Sequence, residues 1–395
     1  MTVFGTTLGE LIKPAPTKRA GSVEYPILSM TMHNGLVDQE SKFRKRVASA
    51  DISQYKVVSK GQLVVGFPID EGVLSFQNLY PHAIVSPAYH IWDLADSFEV
   101  DTGYLQRFLR SPDALAYYAS KLRGTTARRR TLPNDLFLAL PVPLPAISEQ
   151  RRIAQVLDSV DVLRAKRRET INYLDDVTRS IFVAMFGDPA QNPEGWPRAP
   201  LGTLLSRIDS GHSPQCMDRP ARGGEWGVLK LSSITSCEFN PLENKALPET
   251  ASPRQENEVR PGDLLFSRKN TKALVAACAL VRQTPRRLLM PDLIFRLEPD
   301  PTAQIDLTFL HQLLIFPSRR RQIQELATGS SASMSNISKA KLASVEIEIP
   351  PLSRQQAFAE RVAVVDRIRS SQRSHLSELD ALFTSMQHRA FRGEL

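Results

Sequence analysis

The feature that most constrains this chain is an internal repeat: residues 123–188 match residues 328–393 without a gap, at a shift of 205. Gly124 falls on Gly329, Ala127 on Ala332, Pro145 on Pro350, Ser148 on Ser353 and Gln150 on Gln355. Further along, Ala154 meets Ala359, Asp161 meets Asp366, Arg164 meets Arg369, Asp175 meets Asp380 and Phe186 meets Phe391. Upstream the match thins. Tyr104-Leu105 falls on Phe309-Leu310 and Pro112 on Pro317, while Gly61-Gln-Leu-Val-Val resembles Gly262-Asp-Leu-Leu-Phe at a slightly different offset. Self-similarity over such a length means duplicated structural units. The chain reads as two tandem units of about 200 residues that share a tail and differ in body.

Each tail opens on apolar residues punctuated by proline, Leu140-Pro-Val-Pro-Leu-Pro145 and Val345-Glu-Ile-Glu-Ile-Pro350. Alternation in the second predicts a short strand that stops at proline, which has no N–H for the ladder. Ser148 and Ser353 stand where helix N-caps are needed. In the first helix Ile153, Val156, Val160, Leu163, Arg167, Thr170, Leu174, Val177 and Ile181 fall at alternating spacings of three and four. The second gives Phe358, Arg361 or Val362, Val365, Ile368, Gln372, His375, Leu379, Leu382 and Met386. These are heptad a and d positions with a polar interruption at the same place in both. Two such stripes in one chain most simply bury each other, as an antiparallel coiled coil with pseudo-two-fold symmetry; packing of each helix on its own body is the alternative. At ~1.5 Å per residue, a helix of about 40 residues spans roughly 55 Å and can serve as a spacer.

The bodies are mixed. Short β-like runs (Lys60–Gly66, Gly227–Leu231, Asp263–Phe266, Leu274–Cys278) alternate with glycine, proline and serine loops, and one amphipathic helix lies near 102–122 and another near 305–327. The pattern predicts an α/β (α+β) fold with a curved sheet in each body. Residues 187–195, Gly-Asp-Pro-Ala-Gln-Asn-Pro-Glu-Gly, read as the linker into the second unit.

Composition excludes more than it assigns. Hydrophobic residues make up 42% and charged residues 23%, as in folded globular chains. The net charge of +8 and pI near 9.4 favour a polyanionic partner, nucleic acid first among them. The start of the sequence lacks a cationic segment before an apolar core, and no window approaches the ~20 apolar residues of a membrane span. The expectation is a cytoplasmic protein with no membrane partner. Cys216, Cys237 and Cys278 have no Cys-x-x-Cys spacing, so neither a disulfide framework nor a zinc site is expected, and no other metal or cofactor is suggested. There is no phosphate-binding Gly-x-x-x-x-Gly-Lys-Ser/Thr loop, no Asn/Asp-Pro-Pro-aromatic methyltransferase motif and no Pro-Asp followed at plausible spacing by an acid-x-Lys nuclease pair. The chain reads as a non-enzyme.

Several segments carry a family resemblance. Leu144-Pro-Ala-Ile-Ser-Glu-Gln-Arg-Arg-Ile-Ala154 and Ile349-Pro-Pro-Leu-Ser-Arg-Gln355 look like the two helix starts of the specificity (S) subunits of type I restriction–modification systems. Ala184-Met-Phe-Gly-Asp188 with Trp196-Pro197 is similar to that family's junction, and Ala390-Phe-Arg-Gly-Glu-Leu395 to its usual ending. Gly211-His-Ser-Pro214, Gly262-Asp-Leu-Leu-Phe-Ser-Arg268 and Thr328–Ile337 resemble recurring patterns of the second body. The first body departs: it lacks a clear Gly-x-x-Pro turn, and the strand after Gly61 reads Leu-Val-Val-Gly-Phe67 where Ser-Arg is expected. The resemblance implies a first target-recognition domain (1–146), a first spacer helix (147–187), a linker and second target-recognition domain (188–350), and a second spacer helix with the C-terminus (351–395). It implies a subunit that reads a bipartite site in double-stranded DNA. Its partners are two methyltransferase (modification) subunits, which flip an adenine in each half-site, and a restriction/translocase subunit. The alternative is a DNA-binding or scaffold subunit of another defence complex built on the same repeat.

Candidate DNA contacts follow from residue chemistry. Lysine and arginine neutralise phosphates, small hydroxyl residues add positioning contacts, and arginine or asparagine can read guanine or adenine in the major groove. In the first body these are Lys42, Arg44, Lys45, Arg46, Arg123, Thr125, Arg128, Arg129 and Arg130. In the second they are His212, Ser213, Arg219, Arg222, Arg268, Lys269, Asn270, Ser330, Ser331 and Asn336. Arg319-Arg320-Arg321 reads equally well as a solvated helix face.

Overall fold

In each body one strand is apolar at three successive positions, Leu63–Val65 and Leu264–Phe266, because both of its faces are covered. Successive side chains of a strand point to opposite sides. Leu264 and Phe266 enter a core shared with Phe295, Leu297, Phe309 and Leu310, while Leu265 between them enters another with Ala279, Val281, Met290 and Ile294. Leu63 and Val65 likewise face Leu74, Trp92 and Tyr104, and Val64 faces Leu28, Val58 and Ala83. A central sheet dividing two cores is thus built into both bodies.

The computed structural model describes residues 5–32, 34–42, 51–123, 131–329 and 334–395, with the side chains of Ser41 and Lys42 excepted. It divides into two compact units, Met1–Arg168 with Ser374–Leu395, and Glu169–Arg373. In the first unit the central sheet runs Ile12–Pro14, His90–Leu94, Leu63–Val65, Leu74–Phe76 across its width, all antiparallel. In the second the order is Leu205–Ser210, Ile294–Pro299, Leu264–Ser267, Cys278–Leu280, again antiparallel. Both bodies therefore follow one rule, the last strand entering between the first and second. Beside the central sheet, the first unit carries the pairs Leu28–Thr31 with Gly35–Asp38 and Lys56–Ser59 with His82–Val85. The second carries Asn244–Ala246, Gly227–Leu229 and Leu288–Leu289. Of the expected runs, Leu274–Ala277 turns instead of extending, and the strand starts at Cys278.

The expected single helix in each body is two. Thr102–Leu109 is followed by Pro112–Lys121, and Leu307–Ile315 by Pro317–Glu325. The matched prolines explain the break: proline suits the first turn of a helix and pushes the residue before it out of the helical region. Ser111 and Phe316 are accordingly extended, with ψ of 155° and 133°. Asp101 and Asp306 cap the first helix of each pair, accepting from Tyr104 N at 2.8 Å and from Thr308 N at 2.8 Å.

The long helices run over Ile147–Phe186 and Leu352–Phe391, one residue earlier than the expected caps. Ser148 and Ser353 lie inside the first turn. The matched glutamines do the tying there. Gln150 Nε2 donates to the carbonyls of Glu99 and Pro145, and its Oε1 accepts from Asp101 N. Gln355 repeats all three bonds at the 205-shifted positions, Gln304, Pro350 and Asp306. Each glutamine is buried and joins the start of a long helix to the cap of a body helix.

In the first unit, residues 152–168 run antiparallel to 380–395. Arg164 pairs with Asp161 at 2.5 Å and Asp380 at 2.6 Å, lies 4.3 Å from the Phe383 ring centre, and Arg152 reaches the Leu395 carbonyl. In the second unit Arg369 pairs with Asp366 at 2.6 Å and Asp175 at 2.8 Å, and Phe182 meets Phe358. The terminal phenylalanines also repeat: Phe391 packs edge-on against Tyr104, and Phe186 against Phe309. The heptad seam is correct only in part. Leu163, Val177, Ile368 and Leu382 are exposed, while Leu157, Thr178, Val362 and Phe383 are buried. Ion pairs occupy the contact between the apolar ends, and the buried stripe follows the ordinary 3.6-residue turn instead of the 3.5 of a strict heptad.

Arg319 is not a solvated face. It is buried and forks onto the buried Glu348 carboxylate at 2.5 and 2.6 Å, with further bonds to the carbonyls of Pro189 and Glu346.

Candidate nucleic-acid interface

The central strand of the second body ends on Ser267, and the chain then forms a short second ladder. Lys269-Asn270 pairs antiparallel with Ser335-Asn336, and Asn336 exchanges both backbone hydrogen bonds with Thr328, at 2.8 and 2.9 Å. Two segments singled out by sequence, 262–270 and 328–337, therefore meet. Arg268 lies at their junction. Its Nε donates to Asn336 Oδ1 at 3.2 Å, its Cζ sits 5.1 Å from the Phe295 ring centre, and it is half-buried. No described residue accepts from Nη1 or Nη2. A planar fork held by its stem and its Nε is arranged for bidentate recognition of a purine edge.

The Gly211–Pro214 turn approaches the same place through residues 290–293. A Cβ on Gly211 would lie 1.8 Å from the Met290 carbonyl oxygen, so only glycine allows this approach. His212 N donates to that oxygen at 3.1 Å, Ser213 Oγ bonds the Asp292 carboxylate, and Arg268 N donates to the Leu293 carbonyl. His212 and Ser213 are both exposed.

Beyond the short strand Leu288–Leu289 lies a second group of arginines. Arg219 gives its forked N–H pair to Glu225 at 2.6 and 2.8 Å, which holds the Glu225 carboxyl down at about 2. That arginine is committed within the protein, and it braces the turn instead of offering its fork. Arg222 on the same turn is exposed, as are Arg286 and Arg287, the latter reaching the Gly224 carbonyl. Arg286, Arg287 and Lys339 are absent from the sequence-derived set. Lys339, exposed at the start of the helix Lys339–Ala343, lies 5.8 Å from the same Phe295 ring as Arg268. Only the folded chain brings these residues to the others; the sequence offers no more than the Arg-Arg pair.

In the first body Arg123 and Thr131 exchange backbone hydrogen bonds, both 3.0 Å. Shifted by 205, they become Thr328 and Asn336, so both bodies close the equivalent loop with the same bridge. Arg44, Lys45, Arg46, Thr125, Arg128, Arg129, Arg130, Ser330 and Ser331, and the side chain of Lys42, lie outside the described residues.

No family model matches the chain. The specificity subunit of the type I restriction enzyme EcoEI from Escherichia coli is 30% identical over 203 residues, 49% of this chain and 34% of that protein. The matched region thus spans about a third of that relative's own length. The S subunit of a type I restriction–modification system from M. genitalium superposes with a TM-score of 0.54 at 12% identity, over 98% of this chain and 95% of its own. A chain from a structure of type I system assembly and conformational transition superposes with a TM-score of 0.53 at 19% identity, over 99% and 97%. The chain is similar in part of its sequence to a type I specificity subunit and has the fold of type I S subunits. Type I S-subunit architecture thus accounts for the duplicated body and tail. Among the described residues there is no helix long and apolar enough to cross a membrane, and no cluster of three or more candidate metal ligands.

Proposed function

We propose that this chain is the DNA-reading subunit of a type I restriction–modification complex, each body contacting one half of a bipartite site through the major groove. The observation that carries the reading is the repeat with unequal divergence. The helical tails keep Gln150 and Gln355, Arg164 and Arg369, and Phe186 and Phe391 in equivalent bonds, whereas the strand-end residues of the two bodies differ in kind. Equal tails suit a fixed spacing, and unequal strand ends suit two different half-sites. DNA rises about 34 Å per turn, so a helix of roughly 55 Å spans about one and a half turns, and base pairs between the half-sites are left unread.

In the second body Arg268 presents its fork to a guanine, with Lys269, Asn270, His212 and Ser213 beside it, while Arg222, Arg287 and Lys339 contact phosphates. Catalysis comes from partners: two methyltransferase subunits and an ATP-dependent restriction/translocase subunit. The exposed apolar residues Leu163 and Val177 and their equivalents Ile368 and Leu382 support helix-borne docking of two like partners, because both pairs recur at the same repeat positions. The test is to map methylated adenines when the chain is expressed with its methyltransferase partner, then to exchange residues 196–344 for those of another specificity subunit. The reading expects a split site of which the exchange alters one half. Unchanged sites would refute it.

A further inference from the structure

The first body's base-contacting position has no signature in the sequence, yet the sheet defines where it must be. Leu63↔Trp92 and Val65↔His90 in the first sheet occupy the places of Leu264↔Leu297 and Phe266↔Phe295 in the second. The last strands of the two sheets are thus related by the shift of 205, and the central strands by 201. Under that correspondence His90 stands where Phe295 stands, and Phe67, two residues past the strand end, stands where Arg268 stands.

The two pairs also touch alike. Arg268 lies 5.1 Å from the Phe295 ring centre; Phe67 lies 6.4 Å from the His90 ring centre, edge-on with an interplanar angle of 73°. Phe67 is 48% exposed, unusual for a phenylalanine beside a well-formed core. His90 is exposed too, but partial desolvation of its ring together with the nearby Lys56 ammonium holds its pKa below the ordinary value, which favours the neutral ring at pH 7. A ladder like that of Lys269-Asn270 does not continue here, because Pro68 follows Phe67 and proline cannot donate to a ladder. The residue at the strand end is therefore a bare aromatic ring on a neutral aromatic support.

We propose that Phe67, supported by His90, is the base-contacting residue of the first body and that it reads the C5-methyl group of a thymine in the major groove. An apolar ring has no hydrogen bond to offer a base edge, and the thymine methyl is the apolar group that the major groove displays. The inference rests on the DNA-reading function proposed above. The two half-sites are then read by opposite chemistries at one topological position, a polar fork in one body and an apolar ring in the other.

The experiment uses the full chain in complex with its methyltransferase subunits and synthetic duplexes carrying the mapped split site. Each thymine of the half-site assigned to the first body is replaced in turn by uracil, which removes only the methyl group. At one position the wild-type complex should lose about four-fold in methylation rate at limiting DNA, the worth of one methylene-sized apolar contact. Phe67→Ala should show the same loss on thymine and no further response to uracil at that position, with the other half-site's preferences unchanged. Phe67→Leu, which keeps an apolar side chain, should keep part of the response and serves if the alanine variant is poorly folded. Wild-type indifference to every uracil replacement would overturn the proposal, and so would a Phe67→Ala loss equal at all sequences, which would assign the ring to protein docking. A wild-type complex that modifies no split site would instead defeat the DNA-reading function itself.

Discussion

Replacing Gln355 by leucine tests the structural logic of the repeat most directly. Leucine nearly matches glutamine in volume, so the change removes hydrogen bonds without opening a large cavity. Three groups lose their partner: the Pro350 carbonyl, the Asp306 N–H and the Gln304 carbonyl, now bonded at 2.7, 2.8 and 3.1 Å. Pro350 is buried, Asp306 is half-buried and Gln304 is exposed, so water can replace the third bond but not the first. At about 1–3 kcal/mol for each buried group left unpaired, the expected loss is about 2–4 kcal/mol. Asp306 also caps the helix Leu307–Ile315, so that helix should loosen first. Gln150→Leu should cost less, about 1–3 kcal/mol, because its partner Pro145 is only half-buried where Pro350 is buried. Urea titration followed by circular dichroism gives the magnitude, and hydrogen exchange by mass spectrometry gives the place. Protection should fall chiefly in Leu307–Ile315 for Gln355→Leu and in Thr102–Leu109 for Gln150→Leu. A loss below about 1 kcal/mol for Gln355→Leu, or equal loosening of both helices by either variant, would refute the reasoning.

Other expectations concern charge. Arg319→Met should destabilise by about 3 kcal/mol, the low end for breaking a buried pair, because Arg198 still reaches Glu348 at 2.9 Å; adding Glu348→Leu should recover most of it in the same urea assay. Burial holds the His311 pKa below its ordinary value, as does Arg282, against the opposing pull of the Cys237 and Cys278 carbonyls and Asp366. The unfolded chain therefore takes up the proton first, and stability falls as pH drops below about 6.5 toward the folded pKa. His311→Gln, the residue found at the equivalent Gln106, should flatten that dependence between pH 8 and 5.5, and parallel curves for both proteins would count against it. Arg222→Ala and Arg287→Ala should each weaken DNA binding alike across sequences and reduce the salt slope by about 1, measured by fluorescence anisotropy of the complex at several salt concentrations.

Long helices were legible in the sequence because helical periodicity is a local matter, although Ser148 and Ser353, expected as caps, lie inside the first turn. The strand runs at 63–65 and 264–266 were legible because a strand stretch covered on both faces is apolar at successive positions. Their pairing was not, since nothing local says that the last strand enters between the first and second. The heptad seam departs from expectation at its middle for a related reason. Leu163 and Ile368 satisfy the spacing, but Arg164 and Arg369 reach carboxylates on the facing helix and turn those apolar residues outward.

What the sequence alone determined is the duplication, the two long helices and the gathering of basic and small polar residues in the second body. Matched tails and unmatched bodies follow directly from an ungapped shift of 205. What only the tertiary structure decided is which members of that gathering are available. Arg219 and Arg268 look alike in sequence, but Glu225 takes the fork of one, while Phe295 and Asn336 hold the stem and Nε of the other. Phe67 shows no sign of a role until the fold brings its ring beside His90. Residue type fixes the chemistry a side chain can offer; partners brought from far along the chain fix whether that chemistry is already spent.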